Sequence, residues 1–229
     1  MKKETNKIIA LLPIKQNSER VKGKNFKTFA GKPLFRWVLD TLKSINIIDN
    51  LIINTDARQT LVENGLEECE RVIIVDRPSH LRGDDISMNL IIENDLNTFE
   101  SNLCLMTHTT NPLLSSNTIM GAIDKFLENK RSNDSLFTAN KIQTRFYDIN
   151  AEPINHDPNN LIKTQDLPIW YEENSCLYLF TPNSFKKNMA RVGSHPIMYP
   201  ISKVESFDID DYQDWFIAES VMESIIKNR

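Results

Sequence analysis

Short apolar runs alternate with amphipathic stretches along the first two thirds of the chain. That alternation admits few folds besides a parallel sheet covered by helices. Residues 8–14 read Ile-Ile-Ala-Leu-Leu-Pro-Ile, a run too short for a buried helix and apolar on both faces, as a central strand must be. Pro33 stands at the favoured first position of a helix, and Leu34, Trp37, Val38, Leu42 and Ile45 share one of its faces. Residues 51–54 follow as a second strand, 57–68 as a helix, 71–75 as a third strand, 88–98 as a helix and 103–107 as a fourth strand. Ser116 or Asn117 caps a further helix that turns Ile119, Ile123, Phe126 and Leu127 inward, and 136–139 make a fifth strand. From about 140 to 172 the periodicity stops, and Asn, Asp, Pro and scattered aromatics predict irregular strands and loops. Strands at 176–180 and 197–201 follow, then a closing helix with Trp215, Phe216, Ile217, Val221, Met222 and Ile225. One α/β domain over residues 1–229, with an excursion inside 140–200, accounts for the pattern.

Charge and cysteine usage remove several function classes. A net charge of −4 provides no general field for nucleic acid or an anionic membrane, so an anionic ligand needs a local basic cluster. Cys69, Cys104 and Cys176 are far apart and form no Cys-x-x-Cys pair, which argues against a disulfide framework or zinc site. Lys2, Lys3 and Lys7 before the first apolar run imitate a signal peptide, but the run is short, is closed by Pro13 and Lys15, and lacks a small-residue cleavage site. No stretch approaches the roughly 20 apolar residues of a membrane span. The expectation is a cytoplasmic protein that binds neither nucleic acid nor membrane.

Two segments have the residue types for chemistry. The loop after the first strand, residues 15–25, holds Lys15, Arg20, Lys22 and Lys24 with Asn17, Ser18 and Asn25 between them. It leaves the carboxyl end of that strand, where doubly wound folds bind ligands, and its donors suit a polyphosphate. A solvated basic loop is the plain alternative. The loop is neither a Walker A sequence nor Gly-x-Gly-x-x-Gly. The second segment is Ser206-Phe207-Asp208-Ile209-Asp210-Asp211. In an extended strand Asp208 and Asp210 share one side, a pair suited to Mg²⁺, which prefers oxygen ligands and phosphates. The plain alternative is an acidic cap on the last helix, a task Asp211 can perform.

Further motifs occur in a consistent order. The basic loop ends in Lys24-Asn25 and is followed by Gly31-Lys32-Pro33-Leu34. Then come Asn54-Thr55-Asp56, Arg77-Pro78-Ser79-His80-Leu81 with Asp84 and Ser87, Thr110-Asn111-Pro112-Leu113, Gln165-Asp166-Leu167-Pro168, the stretch 174–178 and finally Asp208-Ile209-Asp210. In this order and spacing the chain resembles, over nearly its full length, the acylneuraminate cytidylyltransferases (CMP-sialic acid synthetases). It is more distantly similar to 3-deoxy-manno-octulosonate cytidylyltransferase.

The resemblance implies a nucleotide-diphospho-sugar transferase fold, a Rossmann-like three-layer sandwich with a mostly parallel sheet and a small inserted subdomain. It implies a homodimer, with the 140–200 excursion at the dimer contact and acceptor pocket. It also implies transfer of CMP from CTP, with Mg²⁺, to a nonulosonic or related 2-keto sugar acid, whose anomeric hydroxyl displaces pyrophosphate. By the same resemblance Lys15, Ser18, Arg20, Lys24, Asn25, Arg77 and Ser87 hold the nucleotide, and Asp208 and Asp210 hold the metal. Lys15, Lys24, Asp208 and Asp210 carry the chemistry, which needs mainly positioning and charge stabilisation.

The departures fall mostly in the acceptor half. Lys15 stands where the family has Arg, and Gln16 and Asn17 replace loop glycines. His108 replaces a Gln that contacts the sugar acid, and Thr164 replaces an Arg that helps hold it. Arg145, Lys141 or Lys163 are the sequence candidates for the missing charge, so sialic acid itself is not the expected acceptor. Another anionic acceptor such as a phosphonate, and a non-catalytic nucleotide-binding protein, are the alternatives. His80, His156 and His195 read as surface histidines, Trp37 and Trp215 as core, and Trp170 and Tyr171 as lining either the acceptor pocket or the dimer contact.

Overall fold

Strand β1 (Ile8–Leu11) is buried at every position, and its side chains alternate between two apolar layers. This is seen in a computed structural model that describes residues 7–228; Lys2 and Lys3 lie outside them. After β1 the long polar loop leads to a two-stranded ribbon, β2 (Thr28–Phe29) and β3 (Lys32–Pro33), then to helix α1 (Leu34–Lys43). Strand β4 (Asn50–Thr55), helix α2 (Arg58–Glu63), strand β5 (Val72–Asp76), helix α3 (Met88–Thr98) and strand β6 (Leu103–Thr107) follow. The second half holds α4 (Ser116–Asn129), β7 (Ser135–Ile142), β8 (Trp170–Phe180), α5 (Pro182–Asn188), β9 (Pro196–Pro200) and α6 (Tyr212–Lys227).

Seven strands form one sheet in the order β5-β4-β1-β6-β8-β7-β9. All neighbours run parallel except around β8, which is antiparallel to β6 and β7. Period-two alternation sorts the strand residues onto two faces. Ile8, Ala10, Leu51, Ile53, Leu103 and Leu105 pack with α1 and α4, whereas Ile9, Leu11, Ile52, Cys104 and Met106 pack with α3 and α5. The result is the expected mostly parallel three-layer α/β sandwich. A third cluster joins Val21, Phe29, Leu34, Leu113, Ile209, Trp215, Ala218 and Met222, so α6 packs on the polar loop and the β2–β3 ribbon. Phe29 meets Trp215 edge-on with ring centroids 5.2 Å apart. Among the described residues no helix is long and apolar enough to cross a membrane.

Several expectations change. Pro33 is not the first helical residue; it pairs with Thr28 in the ribbon and occupies the N-cap of α1, with an extended ψ of 140°. Ser115 rather than Ser116 or Asn117 caps α4, its hydroxyl accepting from the Thr118 N–H at 3.2 Å. The helix expected over 57–68 ends at Glu63, because Gly65 turns the chain with φ +79°. Strand β8 begins at Trp170 rather than 176, since its polar first half pairs with β7 beyond the core. Phe216 and Ile217 of α6 are exposed, and Trp37 is half-buried with its indole N–H donating to the Phe29 carbonyl at 2.8 Å. Asp208 and Asp210 lie in an irregular segment rather than a strand.

Candidate active site

Strand β1 lies between β4 and β6: the chain runs from β1 outward through β4 to β5, then crosses back to β6 on the other side. The carboxyl edge at such a switch point is open because the two following connections diverge. A cleft of about 360 Å³ lies there, and Lys15, Ser18, Arg20, Lys24, Asn25, Arg77 and His108 all line it.

The loop that supplies five of these residues is tied down at several points. Gln16 donates its backbone N–H to Asp56 Oδ1 at 2.7 Å, and its side-chain oxygen accepts from the Thr60 hydroxyl at 3.0 Å. Gly23 takes φ +64°, which a side chain would strain, and there the chain reverses so that the Lys24 N–H reaches the Val21 carbonyl. Buried Asn25 donates to the Lys15 carbonyl at 2.8 Å and accepts from the Thr109 hydroxyl at 2.6 Å. The loop is thereby bonded to the end of β6 across the cleft.

Arg77 is buried just beyond β5. Its Nε donates to Asn54 Oδ1 at 2.8 Å and its Nη2 to the Asn54 carbonyl at 2.9 Å. Asn54 in turn donates to Asp95 Oδ1 of α3 at 2.7 Å. Burial lowers the Arg77 pKa, with Asp56 and Asp95 opposing, but a guanidinium remains cationic in such a setting. This Asp95–Asn54–Arg77 chain holds a positive charge at the cleft wall.

Lys24 is the central cation. It is 8% exposed, and its Nζ donates to the Ile209 carbonyl at 2.5 Å, between the two aspartates. Burial lowers its pKa, while Asp208 and Asp210 oppose that shift. For Asp208, burial raises the pKa and neighbouring Asp210 adds to the rise, against a hydrogen bond from Thr110 and the Lys24 charge. Asn111 donates toward Asp208 Oδ1 at 3.4 Å. The capping role belongs to Asp211, which accepts from the Gln213 and Asp214 N–H groups at 2.7 and 3.0 Å. Asp214 reciprocates, accepting from the N–H groups of Asp210 and Asp211. Since Asp211 caps α6, the carboxylates of Asp208 and Asp210 are left to face cations.

At the mouth, Lys15 pairs with Asp84 at 2.5 Å and Arg20 with Asp210 at 2.8 Å. Both pairs are exposed, so solvent weakens them enough for a phosphate to displace the carboxylate. His108 follows β6, and burial, with Arg191 and Lys24 nearby, pushes its imidazole down to about 4. It is therefore neutral near pH 7 and offers the cleft a hydrogen bond rather than a charge.

Five sequence candidates do not line the cleft: Asp208 and Asp210 stand behind it, on either side of the Ile209 carbonyl that Lys24 reaches, and three lie elsewhere. Ser87 caps α3, accepting from the Asn89 N–H at 3.3 Å. Arg145 donates to the Ile162 carbonyl at 2.6 Å inside the excursion, and Thr164 opens an exposed 3₁₀ turn there. Residues that sequence reasoning missed include Thr109, Asp95, Asp214 and Arg191. None of them has a motif spacing of its own, so only its spatial partners distinguish it.

The cytidylyltransferase family profile matches residues 9–222. The chain is 24% identical over 224 residues to pseudaminic acid cytidylyltransferase of Campylobacter jejuni, covering 93% of this chain and 95% of that protein. It is 22% identical over 237 residues to N-acylneuraminate cytidylyltransferase of Escherichia coli, covering 97% of this chain and 53% of that one. The solved structure of CMP:2-keto-3-deoxy-manno-octonic acid synthetase complexed with CTP superposes with a TM-score of 0.67 at 11% identity, covering 96% of this chain and 99% of that one, a likeness of fold. A match over nearly the whole chain, on a sheet whose switch point carries a basic cleft, shows that this protein belongs to the cytidylyltransferase family and is a CTP-dependent nucleotidyltransferase.

Proposed function

We propose that the protein transfers CMP from CTP to a nonulosonic 2-keto sugar acid, with pseudaminic-type acids ahead of N-acetylneuraminate. The observation that carries this reading is the convergence of Lys15, Ser18, Arg20, Lys24, Asn25 and Arg77 on one cleft that His108 also lines. The cations bind the polyphosphate, and Lys24 stabilises the charge that grows on it during displacement. Arg77, held by Asn54, keeps a preorganised charge at the wall and costs no rearrangement during reaction. Neutral His108 orients the acceptor by hydrogen bonding. The acceptor preference is supported by the relatives' names and by His108, which lines the cleft and departs from the sialic acid pattern.

Asp208 and Asp210 would hold Mg²⁺. Among the described residues no third His, Cys, Asp or Glu joins them in a metal-holding group, which suits an ion bound by one or two carboxylates plus phosphates and water. Burial first, with the Asp210 charge adding, raises the Asp208 pKa, and a bound cation would oppose both by favouring the carboxylate. When bound, Mg²⁺ neutralises phosphate charge. The same reading assigns contact with a second copy to the excursion, where Ile149, Leu161, Trp170 and Tyr171 are exposed.

Pyrophosphate release from each nucleoside triphosphate, measured with Mg²⁺ against a panel of 2-keto sugar acids and phosphonates, tests the proposal. Release with CTP and a sugar acid well above all other pairs is expected. Equal release from all four nucleotides, or turnover of a phosphonate alone, would overturn it.

A further inference from the structure

Arg191 is a half-buried guanidinium beside the cleft residue His108, and among the described residues it has no strong partner. Its Nη1 lies 3.6 Å from the Met106 sulfur, a weak acceptor, and its Cζ sits 4.3 Å above the centre of the Tyr178 ring. Among the described residues no carboxylate is within ion-pair distance of it. A partly buried arginine usually meets a carboxylate, because its forked donors lose water on burial and need replacement acceptors. Arg191 keeps its donors uncommitted.

Its location follows from its neighbours. Met106 is in β6 and His108 follows one residue past the end of that strand, close enough to Arg191 for the guanidinium charge to act on the imidazole. The guanidinium on Met106 is therefore a neighbour of His108, which lines the cleft. The approach is fixed from the other side too. Helix α5 ends at Met189 in the left-handed conformation, φ 49°, and the Met189 carbonyl accepts from Asn89 Nδ2 of α3 at 3.0 Å. Asn89 is next to Met88, another cleft residue. The loop bearing Arg191 is thus tied to α3 next to a cleft residue and to β6 two residues before another. The sequence candidates for an acceptor cation do not share this position: Arg145 is bonded to Ile162, and Lys141 and Lys163 are exposed on the excursion.

We propose that Arg191 is the cation that receives the carboxylate of the acceptor, beside His108 as the neutral hydrogen-bonding partner. This rests on the reading of the acceptor as a 2-keto sugar acid. A carboxylate docked there gains a charge-assisted, bidentate contact that the thioether and the ring do not supply. The Tyr178 ring keeps the guanidinium plane in place while its edges remain free to donate.

The test compares wild type with Arg191→Met and Arg191→Lys, using CTP, Mg²⁺ and the sugar acid that wild type uses best in the panel. Arg191→Met keeps an unbranched apolar stem against Tyr178. It is expected to raise the acceptor KM roughly 10- to 100-fold, the scale of one lost charge-assisted contact. The CTP KM should change less than twofold, and Arg191→Lys should recover part of the loss. The carboxyl methyl ester of the acceptor supplies a second readout: wild type should discriminate against it strongly, and Arg191→Met hardly at all. A merely structural strut would lower the melting temperature and shift both KM values together. An unchanged acceptor KM, or ester discrimination that survives in Arg191→Met, overturns this assignment and leaves the sugar-acid reading standing. Failure of wild type to use any sugar acid overturns that reading, and this assignment with it.

Discussion

Replacing Asp95 with Asn is expected to stabilise the protein at pH 8 and to change little at pH 4. Asp95 is 2% exposed on the inner face of α3, and burial raises its pKa from 3.8 to about 6 against hydrogen bonds from Asn54 and Asn94 and the charge of Arg77. An acid with a raised folded pKa holds its proton more tightly folded than unfolded. Its contribution to stability is thus fully present below the unfolded value and is lost as pH rises through about 6. A shift of that size corresponds to about 3 kcal/mol. Asn keeps an oxygen for the Asn54 N–H and carries no charge, so the loss should vanish. In a chain of 229 residues, 1 kcal/mol moves the melting temperature by about 2–4 °C, which gives a gain of about 6–12 °C at pH 8. Thermal unfolding followed by circular dichroism at pH 4, 6 and 8 reads this directly. Other raised carboxyls, Asp208 among them, titrate in both proteins, so the informative quantity is the variant-minus-wild-type difference and its pH dependence. Parallel curves across that range would refute the argument, because they would mean that folding does not raise the proton affinity of Asp95 as its burial requires.

Asp208→Asn and Asp210→Asn should each lower turnover by roughly 10²–10³ while the fold persists, and EDTA should stop the wild type. Full activity in both variants would locate the metal elsewhere. Asp211→Ala removes the acceptor of the Gln213 and Asp214 N–H groups and should cost about 0.5–2 kcal/mol in urea unfolding. An unchanged midpoint and slope would show that the capping box adds nothing to α6.

Much of the architecture was legible because it depends on local periodicity. The runs at 8–14, 51–54 and 103–107 must be strands wherever they lie, and α3 occupies the expected 88–98, since an amphipathic stretch buries its face only as a helix. The motif order also pointed to the family and to the basic loop. Element ends were less legible: Gly65 stops α2 early, and β8 starts six residues before its apolar run because β7 offers it backbone partners. The site depended most on tertiary structure. Lys24 reaches the Ile209 carbonyl across 185 positions, and Arg77 meets Asp95 only through Asn54. Arg191 lies 85 positions from Met106 and has no motif around it. Sequence spacing determined which faces had to be buried. The strand order β5-β4-β1-β6-β8, which is a product of long-range packing, decided which charges converge, because an ion pair or an uncommitted cation is a property of neighbours in space and leaves no periodic trace along the chain.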